Sequence, residues 1–168
     1  MLKIDQLLSA KLVNRALLVL GLVFIVLTFF IALDPAYYAK FGYPGVFLFN
    51  LFGPGTLLVP LMAEHFNVSL LALISTFGMS LNDSVVYVVG RSGQGVVKPG
   101  KRSDWARHLV ARHGRLGLFA ISLVPFPLDF VGGTVGYLGF SYRYYLLPTF
   151  AGKFLRFLAL GIVARWLI

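Results

Sequence analysis

Cysteine is absent from this 168-residue chain, and charged residues are scarce. The lack of cysteine excludes disulfide bonds, cysteine-ligated metals and thiol catalysis. Only 12% of the residues are charged, against roughly 25% in soluble domains, whereas 58% are hydrophobic and the mean hydropathy is +0.84. Polar side chains are too few to cover the surface of a soluble protein. The composition therefore predicts a single integral membrane domain over residues 1–168.

Acidic residues are scarcer than basic ones, six against fifteen, which gives a net charge of +9. Each basic side chain near an anionic leaflet contributes about 1 kcal/mol of attraction. Membrane lipids with anionic headgroups, and not nucleic acid, are therefore the predicted partners. Seven of the basic residues lie in one segment, residues 91–115: Arg91, Lys98, Lys101, Arg102, Arg107, Arg112 and Arg115.

The first long apolar run predicts a retained transmembrane helix over residues 16–33. These 18 residues carry no charge and follow Lys3, Lys11 and Arg15, which places the N-terminus in the cytoplasm. A signal peptide begins in the same way, but the run is long and no small-residue cleavage site follows it.

Two further apolar stretches, residues 43–63 and 116–140, are each interrupted near the middle by helix-stopping residues. A shift of 73 residues superposes the two interruptions and also places Asp83 on Arg156. Paired interruptions in corresponding halves are typical of transporters with inverted repeats. The alternative is a chance similarity between two apolar segments that both contain proline. The interrupting residues are the predicted hairpin tips: Gly53, Pro54, Gly55, Pro125, Phe126 and Pro127.

The distribution of charge favours one topology. If residues 43–63 crossed fully, the helix predicted over 68–90 would return outward and the basic segment 91–115 would lie outside, against the positive-inside rule. If residues 43–63 instead form a re-entrant hairpin, the helix over 68–90 crosses inward and the basic segment 91–115 lies in the cytoplasm. The same reasoning gives a second hairpin at 116–140, entered from the opposite face, and a last transmembrane helix at 144–168. The rival topology has six ordinary crossings with proline kinks.

The predicted fold is therefore all-α: an N-terminal transmembrane helix, then an inverted repeat of a re-entrant helical hairpin and a transmembrane helix. Unpaired backbone groups at re-entrant tips must be buried in protein or line a watered cavity, and two facing hairpins meet this condition. Within the basic segment, Ser103 and Asp104 resemble a helix cap and first turn. They predict a short interfacial helix between the repeats; the alternative is a plain solvated linker.

Four ionisable residues interrupt the apolar segments, and each costs roughly 2.5–3.5 kcal/mol at the centre of a lipid-facing helix. We expect them to face inward, with Asp129 paired to Arg156 or Lys153 and with Asp83 joining the same cluster. A purely structural ion-pair network is the alternative to a transport path. The predicted path is lined by Asp83, Asp129, Lys153 and Arg156, with Asn82 and Asn50 as further lining or capping residues.

No catalytic set emerges from the sequence, so an enzyme is not predicted. Membrane phosphatase motifs, phosphatidyl-alcohol transferase motifs and Gly-x-Ser-x-Gly are all absent. His108 and His113 are five residues apart, a spacing that does not place two ligands on one helical face. Neither a metal nor another cofactor is predicted.

Three segments resemble the DedA-like, VTT-domain family, also called SNARE-associated Golgi proteins. Residues 82–91 (NDSVVYVVGR) resemble its Gly-Asp/Glu-x-x-x-Tyr-x-x-Gly-Arg signature. Residues 124–133 (VPFPLDFVGG) resemble its second hairpin, and residues 150–157 (FAGKFLRF) resemble the Gly-Lys/Arg element of its next helix. The resemblance spans roughly residues 43–160.

This resemblance implies two facing re-entrant hairpins and movement of lipid across the bilayer. Bacterial members of the family are linked to the recycling of polyprenyl-phosphate carriers and to phenotypes that depend on the proton-motive force, and eukaryotic members resemble phospholipid scramblases. The chain departs from the family in having Asn50 where many members carry Glu, and in lacking the Arg-Phe-x-Pro-x-x-Arg element. A proton-coupled mechanism built on those residues is therefore not carried over.

The leading hypothesis is a transporter or scramblase of an anionic lipid, a polyprenyl phosphate or a phospholipid, in a prokaryotic cytoplasmic membrane. Its headgroup would pass through a polar seam between the two hairpins. The alternatives are a proton-coupled exporter of a small molecule or ion, in which protons are a partner and Asp83 or Asp129 titrates, and a membrane scaffold that transports nothing.

Overall fold

The structure, a computed structural model, contains helices and turns but no strand over the residues it describes, which are 13, 15–23, 26, 37, 39–52, 56, 58–93, 101–124 and 129–167. This confirms the all-α prediction for that part of the chain. Within the helix predicted over residues 16–33, residues 16–23 and 26 are helical, and the others lie outside the described residues. The helices that follow are α1 (Gly42–Phe52), α2 (Leu58–Met62), α3 (Val68–Ser92), α4 (Lys101–Leu123), α5 (Asp129–Tyr137) and α6 (Tyr142–Leu167).

Two of these helices, α3 and α6, are long and apolar enough to cross a membrane. Their 25 and 26 residues measure about 37 and 39 Å at 1.5 Å per residue, against about 30 Å of hydrocarbon in a bilayer. Only 44% and 39% of their most apolar windows are buried inside the protein. The remaining apolar side chains face outward, as is expected of helices that lipid covers.

The helices near the two predicted interruptions are short. Helix α1 has 11 residues, α2 has five and α5 has nine, which gives lengths of about 16, 8 and 14 Å. Helix α4 is broken at Gly114, where φ is 54° and ψ is −132°, a conformation that glycine adopts at little cost. Its second part, residues 115–123, is therefore another short helix, and it begins where the second apolar stretch begins.

Helices α3 and α6 pack against each other at the centre of the protein, and each carries two short helices. Helix α1 packs mainly on α3 and the end of α4 on α6, whereas α5 packs on α3 and α2 on α6. The two largest apolar clusters of the described residues lie between these helices. One joins α1, α2, α3 and α6 around Phe49 and Phe157, and the other joins α3, α4, α5 and α6 around Leu118 and Tyr145.

Glycine permits the closest of these helix contacts, between α3 and α5. A Cβ atom added at Gly90 would collide with the backbone carbonyl of Gly133, whereas one added at Gly133 would meet Val86 Cγ1 at 3.7 Å, an ordinary contact distance. Small residues at such crossings allow backbones to approach in membranes, where packing drives the association of helices.

We expect Gly90→Ala to destabilise the protein by roughly 1–3 kcal/mol, because the added methyl group overpacks the crossing. Gly133→Ala, on the other side of the same contact, should leave stability unchanged or slightly higher, since alanine favours a helix. Thermal unfolding of the two variants in one detergent measures the difference. Equal melting temperatures would contradict the close approach of α3 and α5.

Candidate functional site

Asp83 on α3 and Lys153 on α6 form a buried salt bridge between the two long helices. Their side chains are 2% and 0% exposed. The hydroxyl of Tyr145, also on α6, donates a hydrogen bond of 3.0 Å to Asp83 Oδ2. A buried carboxylate is tolerated where a cation and further donors satisfy it. The pair is neutral in sum and fixes α3 against α6.

Arg156 lies one turn further along α6, on the same side as Lys153, and it is 4% exposed. Its Nη1 donates to the carbonyl oxygen of Val124 at 3.0 Å, and its Nη2 lies 3.2 Å from Met79 Sδ, a weak acceptor. Its Nε is buried and has no hydrogen-bond partner among the described residues. Within that part of the chain, the guanidinium, which has five N–H donors, therefore has one strong acceptor.

The buried ionisable side chains that the structure describes carry an excess of positive charge. Asp83 is already bound by Lys153, and no salt bridge of Arg156 is found among the described residues. The face of the Phe157 ring lies 4.9 Å from the guanidinium carbon, which compensates a cation only in part. Asp83 also attracts Arg156, but that one carboxylate is shared with Lys153. A buried charge that is only partly compensated is costly, so an anion is the ligand that this site favours.

Asn82 and Arg156 hold corresponding backbone groups. Asn82 Nδ2 donates to the carbonyl oxygen of Leu51 at 2.8 Å, in the last turn of α1. Arg156 donates to the carbonyl oxygen of Val124, directly after the end of α4. The last carbonyl groups of a helix lack partners within it. Helix α3 thus caps the end of α1, and α6 caps the end of α4.

Asn50 is buried beside α3 and only partly satisfied. Its Nδ2 donates to the carbonyl oxygen of Val46 at 2.7 Å and to Ser75 Oγ at 3.3 Å. Its Oδ1 is buried and has no hydrogen-bond partner in the part of the chain that the structure describes. Asn50 thus keeps an unsatisfied acceptor, as Arg156 keeps an unsatisfied donor.

The predicted pairing of Asp129 stays a prediction, because its side chain lies outside the described residues, although its backbone begins α5. The partner that the structure shows for Lys153 is Asp83. The predicted tips, residues 53–55 and 125–127, also lie outside the described residues. The side chains that the structure brings together from the predicted path are Asp83 and Lys153, with Arg156 one turn away.

Some of the predicted headgroup-contacting residues lie near the kink at Gly114 and the end of α3. Arg91 Nη1 donates to the hydroxyl of Tyr87 and to the carbonyl oxygen of Gly139, at 3.3 and 3.5 Å. The Arg115 guanidinium carbon lies 5.1 Å from the centre of the Tyr144 ring. Arg91, Arg107, Arg112 and Arg115 are exposed, Lys98 lies outside the described residues, and so do the side chains of Lys101 and Arg102.

Sequence reasoning missed Tyr145, which binds Asp83, and Met79, which contacts Arg156. The signal for Tyr145 was the spacing of polar residues in two otherwise apolar helices. Residues three or four apart share a helix face, and a polar stripe in an apolar helix marks the face that turns away from lipid. The stripes, buried throughout, are Thr76, Ser80, Asp83 and Tyr87 on α3, and Tyr145, Thr149, Lys153 and Arg156 on α6.

No protein-family model, curated protein or solved structure matches this chain. The resemblance of residues 82–91, 124–133 and 150–157 to the VTT-domain family therefore stays a prediction. The chemistry of the site is inferred from its own geometry: a neutral buried pair and a second buried cation with free hydrogen-bonding capacity among the described residues.

Proposed function

We propose that this chain is an integral membrane protein that moves an anionic lipid between the leaflets, with the headgroup passing through a polar seam near Arg156. The observation that carries the proposal is the buried guanidinium of Arg156, which forms no salt bridge with a described carboxylate and whose Nε has no hydrogen-bond partner among the described residues. Arginine forms its strongest hydrogen bonds with carboxylate and phosphate groups. A phosphate headgroup supplies the charge and the acceptors that this site lacks.

The packing of the short helices supports an inverted repeat. Gly78 on α3 lies against Asn50 of α1, and Gly152 on α6 lies against Ser122 of α4. The two glycines are 74 residues apart and their two partners are 72 apart, close to the shift of 73 that superposes the interruptions. The first half consists of α1, α2 and α3, and the second of the end of α4, α5 and α6. In this scheme α2 corresponds to α5, and α2 packs on α6 of the other half just as α5 packs on α3.

The capping contacts follow the same repeat. Leu51, which Asn82 caps, and Val124, which Arg156 caps, are 73 residues apart. Phe77 and Phe150, a pair that the shift equates, touch each other with ring centroids 5.1 Å apart. A contact between equivalent residues is expected near the axis that relates two halves. Of the two capping side chains, Arg156 is charged and Asn82 is not, so the functional role is assigned to Arg156; the shift of 73 itself places Asp83 on Arg156.

Re-entrant hairpins are the topology that this packing favours. A helix of about 16 Å, such as α1, reaches only about halfway through 30 Å of hydrocarbon. The ends of such helices bear free carbonyl groups, which must meet protein or water inside a membrane. Asn82 and Arg156 meet that need at the ends of α1 and α4. The positive-inside rule then places the basic segment 91–115 in the cytoplasm.

Lipid flipping in liposomes tests this function. We expect the purified protein to accelerate flipping of a tail-labelled anionic phospholipid more than that of a zwitterionic one with the same tails, because Arg156 attracts the anionic headgroup. A short polyprenyl phosphate, assayed beside them, tests the other anionic substrate class. The measurement is the fraction of label that a membrane-impermeant quencher reaches over time. No acceleration of any lipid by protein that is monodisperse and folded would contradict the proposal.

A proton-coupled exporter is the second candidate, and the buried Asp83–Lys153 pair favours it. Protonation of the carboxylate would break the pair between α3 and α6 and so change how the two helices are held together. Flipping that proceeds without a pH gradient supports the lipid transporter. Solute transport that requires a pH gradient, in liposomes where lipid does not flip, supports the exporter.

A further inference from the structure

Asp83 lies near two buried cations and binds one of them. Lys153 and Arg156 are three residues apart on α6, a spacing that makes them neighbours on a helix. Arg156 also reaches α3 one turn from Asp83, because its Nη2 lies 3.2 Å from Met79 Sδ. The Oδ2 atom of Asp83 nevertheless binds Lys153, and Arg156 forms no salt bridge with a described carboxylate.

The chemistry of the two cations alone does not favour Lys153 as the partner. A guanidinium offers a carboxylate two parallel hydrogen bonds, whereas an ammonium is a compact point charge. Arginine is therefore the residue of choice for a buried ion pair, and a further contact is needed to favour Lys153. The structure shows such a contact in the hydroxyl of Tyr145, which donates to the same Oδ2 atom of Asp83 at 3.0 Å.

The hydroxyl of Tyr145 is itself fixed in place by two other helices. The residue is fully buried, and its ring is stacked on that of Tyr87 of α3, with centroids 5.9 Å apart and 15° between the planes. Gly132 of α5 lies against the hydroxyl, since a Cβ atom added there would come within 2.6 Å of Tyr145 Oη. Contacts from α3 and α5 therefore direct the hydroxyl at Asp83, and glycine at position 132 leaves the room that it needs.

We infer that Tyr145 is a positioning residue for the anion site: by holding Asp83 on Lys153, it keeps Arg156 open to the headgroup of an anionic lipid. The inference rests on the proposed function, because it assigns the headgroup to Arg156. Without the hydroxyl of Tyr145, the carboxylate of Asp83 competes with the headgroup phosphate for the same guanidinium. Tyr145 thus determines how strongly the protein prefers an anionic lipid to a zwitterionic one, and it acts through Asp83 and not by contact with the headgroup.

Tyr145→Phe tests the inference, because it removes the hydroxyl and keeps the ring. Native mass spectrometry of the detergent-solubilised protein, with phosphatidylglycerol and phosphatidylcholine of identical chains added at equal concentration, measures the ratio of the two retained lipids. We expect the wild-type protein to retain more phosphatidylglycerol. Tyr145→Phe should lower the ratio roughly five- to tenfold, as the loss of one hydrogen bond to a charged group warrants. A ratio equal to that of the wild type would overturn the inference and leave the proposed function intact.

Tyr142→Phe is the matched control, because it removes a hydroxyl from the same helix that pairs with a serine. The hydroxyl oxygen of Tyr142 lies 2.6 Å from Ser84 Oγ. This variant should keep the wild-type ratio of retained lipids. Equal retention of the two lipids by the wild-type protein would overturn the inference together with the assignment of the headgroup to Arg156.

A cycle of substitutions separates positioning from support of the fold. Asp83→Asn combined with Lys153→Met removes the carboxylate that Tyr145 holds, so adding Tyr145→Phe to this pair should leave the lipid ratio unchanged. A structural role of Tyr145 would instead disturb the site in both backgrounds. An equal fall of the ratio with and without the carboxylate would therefore overturn the inference, and so would a lower melting temperature of Tyr145→Phe with the wild-type ratio.

A second substitution displaces the hydroxyl instead of removing it. Gly132→Ala places a methyl group against Tyr145 Oη and should lower the lipid ratio as Tyr145→Phe does. Gly133→Ala, at the next position of α5, meets Val86 Cγ1 at an ordinary contact distance of 3.7 Å and should keep the wild-type ratio. Equal ratios for the two alanine variants would overturn the inference.

The lipid ratio in detergent and the flipping rate in liposomes distinguish failure of the inference from failure of the proposed function. A protein that flips no lipid, but whose ratio falls in Tyr145→Phe, has the positioned anion site without the transport. A protein that flips anionic lipid, but whose ratio is the same in Tyr145→Phe as in the wild type, transports lipid without this positioning contact.

Discussion

Lys153→Met is expected to remove most of the folded protein. Methionine keeps the length and apolar stem of lysine but leaves Asp83, which is 2% exposed, without its cation. Removing one partner of a buried ion pair destabilises a protein by roughly 3–5 kcal/mol, which is a large part of the 5–15 kcal/mol that stabilises a typical fold. The measurements are the yield of monodisperse protein in detergent and the melting temperature of what remains.

Two variants show whether the buried pair is the cause. Lys40→Met makes the same substitution at an exposed lysine and should leave yield and melting temperature unchanged. Asp83→Asn combined with Lys153→Met removes both charges and keeps an acceptor for Tyr145, so it should recover much of the lost stability. A Lys153→Met protein that folds as well as the wild type would contradict the buried pair.

The long helices could be predicted from the sequence almost to their ends. Residues 68–90 and 144–168 were predicted as transmembrane helices, and the structure has α3 at Val68–Ser92 and α6 at Tyr142–Leu167. Long apolar runs have no other way to satisfy their backbone in lipid. Asn67, whose Oδ1 accepts a hydrogen bond from the Leu70 amide at 3.1 Å, caps the start of α3. These are local signals, and local signals suffice to place a helix.

The partners of the buried charges could not be predicted in the same way. The sequence indicates that Asp83, Asp129, Lys153 and Arg156 must avoid lipid, but not which of them meet. Proximity in the chain favoured Asp129 for Arg156 or Lys153, with Asp83 joining the same cluster; the partner described for Lys153 is Asp83, 70 residues away, and the pairing of Asp129 stays a prediction. That pairing depends on how α3 and α6 are rotated about their axes. The polar stripes on the two helices contain this information.

Arg156→Gln is expected to slow flipping of an anionic phospholipid by roughly ten- to a hundredfold, because a hydrogen bond to a charged group contributes about 1.5–3 kcal/mol. The flipping rate of a zwitterionic lipid should fall less, because its headgroup has no net charge and is attracted less strongly by the cation in the seam. Arg165→Gln, at an exposed arginine on the same helix, is the matched control and should flip both lipids at the wild-type rate.

The same substitution also separates binding of the lipid from support of the fold, since Arg156 caps Val124. Arg156→Lys keeps the charge and a donor but loses the forked guanidinium, so it should retain partial selectivity for the anionic lipid. If Arg156→Gln lowers the melting temperature without any change in lipid selectivity, Arg156 serves only to stabilise the fold through its hydrogen bond to Val124. If the variant loses its selectivity but melts like the wild type, the anionic headgroup binds at Arg156. The unchanged melting temperature would show that the buried cation is not needed for the fold, so its role is to bind the substrate.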